Sequence, residues 1–188
     1  MTTIVKIGGS SQSSLDKIHR IVEQIRDLDD HIVIAVSAQG KTTDRIDESI
    51  SDARRGKSID PEYVFQDLES MYGQLQLRGG VLPLRDGIYK MFSELPEQAK
   101  NMKRIKGFDK PVSNLDDPSY TAFLHLNGER LAAAAFDSIL EGIGIDHLWI
   151  DFSGENFPLV VSGDYHNARI NLEDSRQKAT SLMADNGH

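Results

Sequence analysis

The sequence contains no cysteine among its 188 residues. This absence excludes disulfides, thiolate zinc sites and a Cys–His catalytic pair. Positive charge is also scarce, because 21 Lys and Arg stand against 29 Asp and Glu, for a net charge of −8. Such a chain does not favour binding to nucleic acid or to anionic membrane surfaces. We therefore expect neither of these as a partner.

Long apolar runs are missing as well. No stretch approaches the roughly 20 apolar residues that a membrane-spanning helix needs. The first residues lead almost directly into a strand-like run, without the basic and then apolar segments of a signal peptide. We therefore expect a cytoplasmic protein.

Several common catalytic and metal-binding patterns are absent. The six histidines show no H-E-x-x-H or other ligand spacing, and there is no G-x-S-x-G motif. The segment Gly40-Lys41-Thr42 resembles the end of a P-loop, but Ala35 stands where that motif needs its first glycine. We predict no protein metal site and no P-loop.

The first 37 residues indicate a strand, a turn, a helix and a second strand. Residues 3–7 are mostly β-branched, and two glycines follow them. Apolar residues then recur at helical spacing, with Ser13 or Ser14 as the expected helix cap. Residues 31–37 form a nearly continuous apolar run, as in a strand covered on both faces. This order predicts a right-handed βαβ unit.

The rest of the chain predicts more helices and two more strands. We expect a loop over residues 103–117 and a break near Pro96 inside a helical stretch. The predicted helices cover residues 42–53, 61–77, 84–102, 120–140 (ending around Gly142 and Gly144) and 173–184, and the predicted strands cover 147–152 and 157–162. The predicted fold class is α/β: a three-layer αβα sandwich with a mostly parallel sheet and helices on both faces.

The turn after the first strand is the first candidate site. Lys6 lies at the carboxyl end of that strand, where open α/β sheets bind ligands. Gly8 and Gly9 allow close approach of a phosphate, and the next helix points its N-terminus at the same place. A tight turn with a solvated lysine explains the same residues.

Two polar segments further along the chain are the other candidates. Residues 40–43 open a helix, with Thr42 or Thr43 as its cap, and a capping threonine can also face a ligand. The segment Asn127-Gly128-Glu129-Arg130 precedes an alanine-rich run. Glu129 there is either an exposed residue near a helix start, favoured by the helix dipole, or a carboxylate that receives a substrate ammonium group.

Taken in order, these segments resemble the aspartate kinases of the amino-acid kinase superfamily. Members of that family carry K-F-G-G-[ST]-S, then S-A-x-G-K-[ST]-T-[DN], then G-E-[RL]-[LM]-[SA], then a strand with an aromatic residue and an aspartate. The counterparts here are residues 6–11, 37–44, 128–132 and 149–151, and residues 165–170 are similar to a further family segment. Ile7 replaces the phenylalanine of the first motif. The resemblance covers nearly the whole chain and is weakest over residues 55–118.

The resemblance implies a role for each matching residue. Lys6 would neutralise charge on the transferring phosphoryl group. The backbone amides of Gly8, Gly9 and Ser10 would hold phosphate oxygens. Thr43 and Glu129 would bind L-aspartate, with Glu129 pairing with its ammonium group.

The reaction implied is transfer of the ATP γ-phosphoryl group to the aspartate side chain with Mg²⁺ as cofactor, giving 4-phospho-L-aspartate. In the family this step belongs to the biosynthesis of lysine, threonine and methionine.

The chain also departs from the family pattern. The family continues with a G-F-x-G loop, a T-[TL]-G-R-G-G-S-D segment, a nucleotide pocket and regulatory ACT domains, and the printed sequence contains none of these motifs. We therefore interpret residues 1–188 as the N-terminal, aspartate-binding portion of a kinase domain. We expect a homo-oligomer, or an assembly with a chain that carries the missing half.

Two other functions stay open. The chain is alternatively a non-catalytic subunit or assembly partner that keeps this half of the fold. A different amino-acid kinase is the third interpretation.

Overall fold

A computed structural model describes residues 2–28, 31–72, 81–103, 112–151, 161–162 and 169–185. The chain divides into two compact units, Met1–Ile145 and Asp146–His188. The first unit contains strands and helices in the order β1 (Thr2–Ile7), α1 (Leu15–Arg26), β2 (His31–Val36), α2 (Thr42–Arg54), α3 (Pro61–Val64), α4 (Gln66–Tyr72), α5 (Val81–Ser93), α6 (Leu95–Lys100), β3 (Met102–Lys103), β4 (Val112–Ser113) and α7 (Pro118–Gly142), with short 3-10 turns at Gly9–Gln12 and Asn114–Asp116.

The βαβ prediction is confirmed. Strands β1 and β2 are parallel, with Lys6 paired to Ala35 and Ile7 to Val36 at their carboxyl ends. Helix α1 connects them, and Ser14 is its N-cap, accepting a hydrogen bond from the Lys17 N–H. Because the strands are parallel, the segments that follow them leave the sheet at the same edge.

The two faces of this strand pair differ in burial. The side chain of Ile7 is buried, whereas Ile4 is 76% exposed and Val33, its register partner, is 53% exposed. Lys6 and Ala35 lie on the same open face, two positions further along each strand. Parallel sheets normally have both faces covered, so this apolar face is available for a contact.

The core of the first unit lies mainly among its helices. The segment predicted as one helix over residues 61–77 instead forms α3 and α4, separated at Phe65, and residues 73–77 lie outside the described residues. The break accommodates the fully buried Phe65 ring, which stacks on Tyr89 at 5.3 Å and meets Phe92 edge-on at 5.0 Å. Aromatic packing of this kind outweighs helix continuity.

The helical stretch predicted over residues 84–102, with a break near Pro96, forms two helices. These are α5 and α6, and the division at Glu94 lies close to the expected break. Where a loop was expected, Met102–Lys103 and Val112–Ser113 form an antiparallel ladder. Residues 104–111 lie outside the described residues.

Helix α7 is the longest in the first unit, at 25 residues. Its C-terminal end was predicted at Gly142 and Gly144, and this is confirmed. Gly144 has φ +74°, its N–H donates to Glu141 O at 2.8 Å, and the Ile145 N–H donates to Leu140 O at 2.9 Å. This bond pattern is the Schellman motif, which ends a helix at a glycine in the left-handed conformation.

The second unit corrects one prediction. Residues 147–151 were predicted to be a strand, but the structure describes them without strand pairing, and Phe152 lies outside the described residues. A strand needs a neighbour for its backbone hydrogen bonds, and no described segment pairs with this one. Within the predicted strand over residues 157–162, Val161–Ser162 does form a strand, β5, antiparallel to β6 (Arg169–Ile170). The last predicted helix is confirmed as α8 (Leu172–Asp185).

Within the part of the chain that the structure describes, none of the helices has the length and hydropathy to cross a bilayer.

Candidate functional site

The segments after β1 and β2 touch at the edge of the sheet. The Gly40 N–H donates to Gly9 O at 3.2 Å. A Cβ on Gly9 would lie 2.3 Å from Ala38 O, a distance that real side chains do not reach. Glycine at position 9 therefore allows the first candidate segment to pack directly against the second.

Two buried glutamines connect these segments further. The Gln12 amide donates to Ser37 O at 2.9 Å and to Ile7 O at 3.3 Å, and the Gln39 amide donates in turn to Gln12 O. Both side chains are almost fully buried. Amide-to-carbonyl bonds in a buried setting fix the relative position of two loops, because breaking one leaves unpaired polar groups.

Helix α7 brings the third segment to the same place. A Cβ on Gly128 would lie 3.1 Å from Thr42 Cγ2, 3.3 Å from Ile46 Cδ1 and 3.4 Å from Ala38 Cβ. The missing side chain therefore lets α7 approach the start of α2 and the end of the β2 loop. All three candidate segments, around Gly9, around Thr42 and around Gly128, converge here.

The interpretation of Glu129 as a residue near a helix start is wrong. Helix α7 begins at Pro118, so Gly128 and Glu129 lie in its interior, where a helix dipole has no special effect on a carboxylate. The Glu129 side chain is half-buried. It has no hydrogen bond or ion pair with any other residue that the structure describes.

The remaining predicted site residues lie at the same sheet edge or close to it. Lys6 is exposed on β1, and Gly8 has extended backbone angles of φ −78° and ψ 159°. A Cβ on Gly8 would meet nothing within 4 Å, so the fold does not itself require glycine there. Ser10 is exposed within the 3-10 turn. Thr43 is exposed on the first turn of α2, and the neighbouring Thr42 is the threonine that faces Gly128.

The prediction that Thr42 or Thr43 caps α2 is wrong. The N-cap residue is Lys41, and its side chain makes no capping bond. Asp67 on α4 caps the helix instead: its Oδ2 accepts from the Lys41 N–H at 2.9 Å and from Arg45 Nη1 at 3.0 Å. Burial alone raises the pKa of Asp67, but these two hydrogen bonds and the charges of Arg45 and Lys41 outweigh it. The pKa therefore lies below its ordinary value.

Two polar atoms in these segments lack a partner. Thr42 Oγ1 and Gln39 Oε1 are buried and have no hydrogen bond to any described residue. Such atoms usually cost free energy in a folded protein. Their position beside Gly128 and Gly40 places unused hydrogen-bonding capacity at the junction of the three segments.

A second lysine lies over the glycine turn. Lys17 Nζ donates to Ser10 O at 3.2 Å and to Ser13 Oγ at 2.8 Å, and the side chain is exposed. Lys17 was not among the predicted site residues, although its position in the first turn of α1, shortly after the two glycines, was a usable signal. Its charge adds to that of Lys6 near the turn.

A separate shallow cleft of about 240 Å³ lies between α5 and α7. Asn127 and Arg130 reach it, but its walls are otherwise mostly apolar, and none of the predicted site residues lines it. Among the described residues there is also no group of three His, Asp or Glu side chains arranged to hold a metal ion.

Comparison with known proteins agrees with the geometry. The Amino acid kinase family matches residues 1–188. The structure is similar to that of E. coli aspartokinase III in complex with lysine and aspartate, with a TM-score of 0.64, 16% identity, and coverage of 98% of this chain and 38% of that one. It is similarly close to the same enzyme in complex with aspartate and ADP, with a TM-score of 0.63, 15% identity, and coverage of 96% and 37%.

These matches establish the α/β fold of the aspartokinases for this chain. No curated protein sequence matches it. The chain spans less than two fifths of the length of either structure.

Proposed function

Because the chain belongs to the amino acid kinase family, we propose that it is the aspartate-binding portion of an aspartate kinase. That enzyme transfers the γ-phosphoryl group of ATP to the side-chain carboxylate of L-aspartate and forms 4-phospho-L-aspartate. The observation that carries the proposal is the convergence of Gly9, Thr42 and Gly128 at one sheet edge. Two solved structures with the same fold hold aspartate, and one of them also holds ADP.

The glycine turn is the proposed phosphate site. The first amides of a helical turn have no acceptor within it, and here they belong to Gly9 and Ser10. Gly8 leaves open space where a side chain would stand, so a phosphate group can approach the backbone. Lys17 and Lys6 supply positive charge near the turn.

Lys6 is the proposed catalytic residue. In phosphoryl transfer the bond from the γ-phosphorus to the bridging oxygen of ATP breaks, a bond to a carboxylate oxygen of aspartate forms, and ADP leaves. Charge spreads over the phosphoryl oxygens during this step, so positioning and a nearby cation account for most of the catalysis. Lys6 is exposed and has no ion pair with a described residue, which leaves its ammonium group free for this role.

Glu129 and Thr43 are the proposed aspartate ligands. A half-buried carboxylate with no partner among the described residues suits the ammonium group of an amino acid, because a charge-assisted hydrogen bond then replaces lost hydration. Glu129 follows Gly128, which contacts the first turn of α2. Thr43 is exposed on that turn and offers a hydroxyl group.

ATP and Mg²⁺ would bind to the complete kinase, and we assign neither of them to particular side chains of this chain. When bound, Mg²⁺ would reduce the negative charge of the nucleotide phosphates. Kinase sites commonly hold it through substrate phosphates with only one or two carboxylates.

We also propose that the chain works as a homo-oligomer or together with further kinase polypeptide. The exposed face around Ile4 and Val33 is a suitable contact.

The test is a calorimetric titration of the chain with L-aspartate. Wild-type protein should bind saturably, and Glu129→Gln should weaken binding by about tenfold to a hundredfold, as expected for one charge-assisted hydrogen bond. Glu141→Gln is the matched control, because Glu141 is exposed near the C-terminal end of the same helix. It should leave the affinity unchanged.

Equal weakening by the two variants would show that Glu129 has no specific part in binding. Absence of saturable aspartate binding in the wild type would refute the aspartate assignment itself. The chain could bind aspartate and yet give no ADP release from ATP when the remaining kinase polypeptide is present. That result would favour the non-catalytic subunit.

A further inference from the structure

Asp67 connects helix α4 to the loop that leads into α2 and carries one of the three candidate segments. Its carboxylate accepts from the Lys41 N–H at 2.9 Å, and the Arg45 guanidinium donates to both of its oxygens, at 3.0 and 3.3 Å. Asp67 lies on α4, 26 residues after Lys41. One carboxylate oxygen accepts a hydrogen bond at a helix N-terminus, and a guanidinium contacts both oxygens. Together these contacts fix the orientation of the carboxylate as well as its distance from the helix.

Gly40 makes this contact sterically possible. It has φ +54°, and a Cβ there would lie 2.1 Å from Asp67 Oδ2. The same residue donates its N–H to Gly9 O. Asp67, Gly40 and Gly9 are therefore successive contacts, and they run from α4 to the glycine turn.

Arg45 makes the carboxylate difficult to replace. Its side chain is 8% exposed, and its guanidinium lies 5.7 Å from the ring centroid of Tyr63 on α3. A buried guanidinium without its carboxylate partner is strongly unfavourable. Loss of Asp67 should therefore move the start of α2, because a small shift lets Arg45 reach solvent.

We propose that Asp67 is a positioning residue of the candidate site: its carboxylate holds the loop over residues 38–41, and this loop in turn holds the glycine turn at Gly9. This inference rests on the proposed function for its consequence in substrate binding. Its structural part, the coupling of α4 to the glycine turn, stands apart from any ligand.

The substitution Asp67→Asn keeps the size of the side chain and removes its charge. Two controls separate positioning from general stability. Asp52→Asn breaks ion pairs with Arg55 and Lys57, both at 3.0 Å, at the other end of α2. Ile50→Val removes a buried methylene from the core side of the same helix.

Two measurements are made on each full-length variant. Hydrogen exchange of the backbone amides in residues 8–12 and 38–43 is recorded without ligand, and L-aspartate affinity is measured by calorimetry. We expect Asp67→Asn to accelerate exchange in both segments and to weaken aspartate binding about tenfold or more. Both controls should stay within about twofold of wild type in these segments and in affinity.

The variant Gly40→Ala tests the same contact if Asp67→Asn does not fold. It adds a Cβ that displaces the carboxylate without changing any charge, and it should accelerate exchange in the same two segments. Unchanged exchange in residues 8–12 in the variant that folds would overturn the proposal, whatever happens to affinity.

If Ile50→Val accelerated exchange and weakened binding as much as Asp67→Asn, the proposal would also be overturned, because both variants would then act only by lowering stability. If wild-type protein does not bind aspartate, the proposed function fails, while the exchange data still decide the role of Asp67.

Discussion

At the scale of single residues, the surroundings of Asp67 define how its charge depends on pH. Hydrogen bonds from Arg45 and from the Lys41 N–H keep its pKa below the ordinary value despite partial burial. In the unfolded chain an aspartate has a pKa of about 3.9. The folded state therefore keeps the negative charge at pH values where the unfolded chain already binds a proton.

This difference predicts a pH-dependent contribution to stability. The contribution of the Asp67 contacts is complete above about pH 4 and is lost as the pH falls through the folded-state pKa. Asp67→Asn should lower the free energy of unfolding by about 1.5–3 kcal/mol at pH 7, as for hydrogen bonds to a charged group. In urea denaturations the deficit should be the same at pH 7 and pH 5 and should shrink as the pH is lowered below about 4. A deficit of constant size over this range would contradict the assignment.

Single residues also show where sequence analysis had no basis for prediction. Gln12, Gln39 and Asp67 hold the candidate site together, yet their partners include residues 22 to 27 positions away. Periodicity and local motifs carry no information about such contacts. Lys6, Gly8 and Glu129 were selected from local patterns, the resemblance supplied their roles, and those roles remain predictions.

At the scale of elements, the two glycines of the first turn have different functions in the fold. A Cβ on Gly9 would collide with Ala38 O at 2.3 Å, whereas a Cβ on Gly8 would lie in open space. Gly8 also has backbone angles that alanine adopts without strain. Gly9 is therefore required for packing, whereas the fold does not require glycine at position 8.

Alanine substitution at the two positions should separate these functions. Gly9→Ala forces one backbone away from another and should lower the free energy of unfolding by about 1–3 kcal/mol, as other overpacked sites do. Gly8→Ala should change it by less than about 0.5 kcal/mol. Urea denaturation followed by circular dichroism measures both. Similar losses for the two variants would show that the close approach of Gly9 to Ala38 is not a feature of the folded protein.

The elements that were predicted correctly have strong local signals. The βαβ unit combines β-branched runs, a glycine turn and an amphipathic helix capped by Ser14, and each signal agrees with the others. Residues 147–151 have a similar apolar pattern but no described partner strand, so the strand predicted from this pattern was wrong. The helix that was expected over residues 61–77 divides because buried aromatic packing at Phe65 is a tertiary effect.

At the scale of the whole molecule, the fold was predictable because several weak motifs occur in a fixed order. The family match over residues 1–188 and the similarity to aspartokinase III support this inference. Contacts bring the segments around Gly9, Thr42 and Gly128 to one edge of the sheet although up to 119 residues separate them. We propose that this junction binds L-aspartate.

An amide-resolved NMR titration of the 188-residue chain with L-aspartate tests this claim most directly. We expect saturable changes in the chemical shifts of the amides of Gly9, Thr43 and Glu129, all with one dissociation constant. The amide signal of Gly144, just beyond the C-terminal end of α7, should not shift. An absence of shifts at saturating aspartate, or shifts confined to residues away from these three segments, would contradict the account.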